Sequence, residues 1–150
     1  MQDKNNKEPC PVPDQTLSNA PSAHPYRHPS GVECIDIVRH MSFCLGNAVK
    51  YVWRGWRATA PQGAADLERA AFYIHEWLAM EVRPRMPLSR LIMDAVQRFA
   101  AVDDDPQFST AIRDLCRADF THGNENAARH ALALIMAEME RRANPSTTQP

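Results

Sequence analysis

The chain has no excess of either charge: 17 lysines and arginines stand against 18 aspartates and glutamates, a formal net charge of −1. A general polyanion binder carries a broad positive field, so nucleic acid is not favoured as a partner and any basic site must be local. Paired cysteines are missing too. Cys10, Cys34, Cys44 and Cys116 are scattered with no C-x-x-C, and no apolar signal segment opens the sequence. A disulfide scaffold is therefore not expected, and free thiols in a reducing cytoplasm are. Apolar runs fall far short of the about 18–20 residues a bilayer span needs, so no membrane partner is expected. The glycines are Gly31, Gly46, Gly55, Gly63 and Gly123, none of them before Lys-Ser or Lys-Thr. That excludes the phosphate-cradling loop G-x-x-x-x-G-K-[ST], and a P-loop kinase with it. Alternation with period two is almost absent, which leaves little room for a sheet.

What the chain does have is helical spacing. Apolar residues make up 44% of its 150 positions, enough for one domain with a helical appendage. The expected fold is all-α, three core helices followed by about three more. Residues 1–28 carry five prolines among polar residues and form a disordered arm; 29–83 form the helical domain. Residues 84–143 form a C-terminal helical extension, and 144–150 a disordered tail. Ser30 and Glu33 have capping-box spacing for a first helix that buries Ile35, Val38 and Met41. Ser42 then caps a second helix whose apolar stripe is Leu45, Ala48, Val49, Val52, Trp53 and Trp56. After a turn around Pro61 and Gly63, Asp66 falls in the first turn of a third helix, where its charge suits the dipole. That helix buries Leu67, Ala70, Ala71, Ile74, Trp77 and Leu78. Beyond the linker at Pro84 and Pro87, one stripe runs through Leu88, Leu91, Ile92, Ala95, Val96 and Phe99. Asp105-Pro106 starts the next helix, with Phe108, Ile112 and Leu115 inward, and Gly123 precedes the last, with Ala128, Leu132, Ile135 and Met139. These late stripes look wide for a short chain, so a homo-oligomer is expected.

Between Ile37 and Ala65 stand four cations, Arg39, Lys50, Arg54 and Arg57, and no carboxylate. On the second helix Asn47, Lys50, Tyr51 and Arg54 share a face at i, i+3, i+4 and i+7. Two readings are open. Arg and Lys can hold phosphate oxygens while Tyr or Asn engages a base or sugar; or the cations are a solvated face beside a half-buried tyrosine. His24 and His28 are weaker candidates, able to meet Cys34 or His40 around zinc but without a recognised ligand spacing.

The run from His24 to Glu81 resembles the phage nucleotide-kinase-like family. The residues that carry the likeness are His24, Gly31-Val32-Glu33-Cys34-Ile35-Asp36, Leu45-Gly46-Asn47-Ala48-Val49-Lys50-Tyr51, Arg54, Asp66-Leu67, Ala70 and Tyr73. Three departures stand out: Pro25 separates His24 from Tyr26, Arg69 replaces a usual lysine, and a lysine often found near Ala58 is absent. The resemblance implies a phage or prophage protein of the bacterial cytoplasm whose ligand is a nucleotide or nucleotide-derived molecule. Asn47, Lys50, Tyr51, Arg54, Arg57 and Arg69 would bind it, with Tyr73 nearby. A kinase acting on nucleoside monophosphates would also need Mg²⁺, for which Asp36 and Asp66 are the candidates. The alternative is a non-catalytic binder that sequesters a nucleotide signal or modulates a nucleic-acid enzyme.

Overall fold

A computed structural model describes residues 28–121 and 123–145. The proline-rich arm apart from His28, with His24 in it, and the tail beyond Pro145 lie outside the described residues. Six helices and no strand make up the described part: α1 (Cys34–Val38), α2 (Phe43–Gly55), α3 (Gln62–Ala79), α4 (Arg90–Val102), α5 (Pro106–Phe120) and α6 (Glu125–Ala143). The fold is all-α, as the spacing predicts. No described helix is long and apolar enough to cross a membrane.

The helix starts show how local chemistry and tertiary contacts divide the work. Asp105 caps α5 by accepting from the Gln107 and Phe108 amides, with Pro106 in the first turn where no donor is missed. Asn124 does the same for α6 and Ser89 for α4. Four expectations about the first three helices are corrected. Glu33, not Ser30, caps α1, and its box partner is Asp36, whose Oδ2 accepts from the Glu33 amide at 3.0 Å. Ser30 instead accepts from the Val32 amide and bonds His28 Nδ1 at 2.8 Å, turning the chain before the helix. With barely more than one turn, α1 takes its phase from that entry, so Val32, Cys34 and Ile37 are buried while Ile35 is half exposed. Ser42 does precede α2, but its hydroxyl and amide both go to Asp119 of α5, each at 2.6 Å. Asp66 stands in the second turn of α3 and is buried, so it answers a side chain and not the helix dipole.

α2 packs most extensively on α3, α5 on α6, and α3 on α6 in turn. The expected α2 stripe is buried in full, as are Leu67, Ala70, Ile74 and Trp77 of α3, while Ala71 and Leu78 are only partly buried. One hydrophobic cluster takes in Ile37, Val52, Ile74, Phe99, Ile112 and Ile135, one from each helix, so 29–83 and 84–143 share a core. At its centre Trp53 packs on Phe99 (4.9 Å between ring centroids) and Phe108 (6.0 Å). Along α4 the expected stripe holds only for Ile92, Ala95 and Phe99, with Val96 partly buried; Leu88 and Leu91 are exposed. Cys34, Cys44 and Cys116 are buried and unbonded. Burial pushes the Cys34 thiol up to about 12, which makes it inert at neutral pH.

Candidate functional site

The α2–α3 seam closes where two glycines let the helices approach. A Cβ at Gly55 would lie 2.7 Å from Asp66 Cβ and 3.0 Å from the Gly63 carbonyl. The close approach brings the buried Asp66 carboxylate against α2, where Arg54 takes both its oxygens through Nε and Nη2. Gln62 Nε2 and Arg69 Nη1 also donate to Oδ1, at 3.1 and 3.3 Å. The Arg54 hydrogen bonds hold the Asp66 carboxyl below the usual carboxylate range, with burial opposing them. Arg54 is thus first a tie between the two helices, and its side chain is a third exposed.

Around that tie the seam carries a cationic and aromatic face. Tyr51 of α2 stacks on Tyr73 of α3, centroids 5.9 Å apart and planes 11° from parallel. Three cations surround the Tyr51 ring: Lys50 Nζ at 4.7 Å, Arg54 Cζ at 5.3 Å and Arg69 Cζ at 5.8 Å from its centroid. Lys50 also donates to Asn47 Oδ1 at 3.1 Å, and Asn47 Nδ2 donates back to the Phe43 carbonyl at 2.8 Å. Two aromatic side chains that the sequence reading passed over extend the face. Phe43, 75% exposed, and Phe72, 56% exposed, meet Tyr73 edge-on at 5.9 and 5.4 Å. Their signal was present: both fall off the buried stripes of their helices, where an aromatic ring gains nothing from the core.

Asn47, Lys50, Tyr51, Arg54, Arg69 and Tyr73 are therefore brought together. Arg57 and His28 are not part of this group. Arg57 donates to Asp103 at 2.7 Å and reaches Asp104 at 3.4 Å, its guanidinium over Phe108. His28 is buried against Trp53 and Phe99, and its Nε2 bonds the same Asp103 oxygen at 2.7 Å. His28 thus ties the chain before α1, and Arg57 the end of α2, to the α4–α5 loop, and Trp56 adds a bond to Asp105 at 2.8 Å. Asp36 is occupied as well, by the Glu33 amide and by Arg39 Nη2 at 3.0 Å. Among the described residues no three His, Cys, Asp or Glu side chains stand close enough to hold a metal ion together.

Comparison of the chain with protein-family models, curated proteins and solved structures gave no match.

Proposed function

We propose that this chain binds a nucleotide or nucleotide-derived molecule on the α2–α3 seam. The observation that supports it is the ring of Lys50, Arg54 and Arg69 around Tyr51, continuous with the partly buried Tyr73 and the exposed Phe43 and Phe72. A nucleotide has the matching polarity, a flat base for the aromatic end and phosphates for the cationic end. Lys50 and Arg69 are the principal phosphate groups in this reading, because Arg54 already spends two donors on Asp66. Asn47 sits beside Lys50 and positions it. The likeness to the phage nucleotide-kinase-like family points to the same ligand.

Between binder and kinase, the geometry favours the binder. A kinase needs a carboxylate to present Mg²⁺, and the Asp36 and Asp66 oxygens are each engaged by arginine or amide donors. Homodimerisation belongs to the proposal through α4, where Leu91 and Val102 are exposed. The test incubates the protein with ribo- and deoxynucleotides, with and without ATP and Mg²⁺, following binding by calorimetry and products by mass. Metal-independent binding without product supports the binder. Transfer of a phosphoryl group to a monophosphate makes it a kinase, and no binding to any nucleotide overturns the proposal.

A further inference from the structure

A trough of about 210 Å³ lies between α4 and α5, apart from the α2–α3 seam. Leu88, Ile92, Met93 and Val96 form one wall, and Cys116 and Phe120 part of the other. It runs on into a second hollow of about 460 Å³ that shares Leu88 and Phe120 and adds Met86 and Pro87. No carboxylate lines either hollow, yet arginines stand along both: Arg113 and Arg117 from α5, Arg85 from the linker. Arg85 and Arg113 form no ion pair with a described residue, and Arg117 reaches Asp114 only at 3.6 Å. An apolar floor with guanidiniums on its rim, of which only Arg117 has a carboxylate partner among the described residues, is complementary to one kind of molecule, apolar along its length and anionic at its end. α5 presents positions 113 to 121 to the trough, a run of about 12 Å at the helical rise, which is the length of an extended chain of about ten carbons.

We propose that the trough binds an anionic amphiphile, its acyl chain against Ile92, Val96 and Phe120 and its carboxylate or phosphate head on Arg113 and Arg117. A free fatty acid and an anionic lipid share this chemistry. The probes are octanoate, decanoate, decanol and decyltrimethylammonium, each below its micelle concentration, titrated into the full chain while a bound fluorescent naphthalene sulfonate is displaced. Decanoate is expected to bind about tenfold more tightly than octanoate, since each buried methylene contributes about three- to fourfold. Arg113→Gln should weaken decanoate by about tenfold and leave decanol unchanged, and Met93→Glu should weaken both. Phosphatidylglycerol vesicles separate the sources: pull-down on vesicles, reversed by decanoate, assigns a lipid, and decanoate binding without vesicle binding assigns the free acid. Decyltrimethylammonium binding as well as decanoate, or affinity independent of chain length, overturns the proposal. So does light scattering that shows a dimer broken by Met93→Glu and not by Leu91→Glu, for the trough would then belong to a second copy of the chain.

Discussion

Asp66 and Asp119 are both fully buried carboxylates, yet their values shift in opposite directions. Arg54 lowers the Asp66 value, so the stability Asp66 contributes is full above its unfolded value near 3.8 and is lost as pH falls through the lower folded value. Arg54→Ala leaves a buried charge with weaker partners. The expected cost is about 2–3 kcal/mol, below the usual penalty for breaking a buried pair, because Arg54 is partly solvated and Gln62 and Arg69 still reach the carboxylate. Urea denaturation should show that loss, with the acid-side loss of stability beginning at higher pH than in the wild type. At Asp119 burial raises the value, and the two Ser42 donors only partly offset it. Here the contribution is full below the unfolded value and is lost as pH rises through the folded one. Asp119→Asn keeps an acceptor for the Ser42 amide and sheds the buried charge, so at pH 7 it should melt at or above the wild type. Asp119→Ala strands that amide and should cost about 1–3 kcal/mol. An Asn variant less stable than the Ala variant would contradict this account of α2's start.

At the scale of elements, α2 depends on glycine where it meets α3 and tolerates a methyl where it faces the end of α1. A Cβ at Gly55 meets Asp66 Cβ and α3 backbone, none of it the end of a flexible side chain. Gly55→Ala should therefore cost about 1–3 kcal/mol by forcing the helices apart. Gly46 faces Met41 Cβ and the Val38 carbonyl at 3.4 Å, so Gly46→Ala should stay within about 1 kcal/mol of wild type, its helix propensity offsetting the crowding. Denaturation midpoints in the reverse order would contradict the packing described. The far end of α2 relies on α6: Arg142 donates to the Gly55 and Ala58 carbonyls at 2.9 and 3.3 Å and to Trp56 O, and buried Glu138 holds its Nε at 2.6 Å. Nothing in the sequence near position 142 announces that cap, because its partners are more than 80 residues away. Asp119, 77 residues from Ser42 at α2's start, is equally unannounced. What was legible was periodic or local: the α2 and α3 stripes, the Asp105-Pro106 start, and the i, i+3, i+4, i+7 face from Asn47 to Arg54. Spacing could place Arg54 on that face, but only the fold shows that its first partner is a carboxylate. For Arg57 too the partners are visible only in the fold, since its acceptors Asp103 and Asp104 sit in a loop after α4.

For the whole molecule, α5 and α6 bury their stripes inside the chain, so the case for self-association narrows to α4. The wild type is expected to scatter as a dimer and Leu91→Glu as a 16.9 kDa monomer; a monomeric wild type removes the dimer from the account. The central claim is that the seam's cations hold a phosphate-bearing ligand, in a protein whose overall charge of −1 provides no general attraction. Calorimetric titration of ATP into the wild type and into a Lys50→Ala, Arg69→Ala double variant, with a thermal melt of each, tests it most directly. Charged hydrogen bonds to phosphate contribute roughly 1.5–3 kcal/mol each, so the double variant should bind at least about a hundredfold more weakly while melting close to the wild type. Equal affinity at unchanged stability would reject the α2–α3 seam as the ligand site.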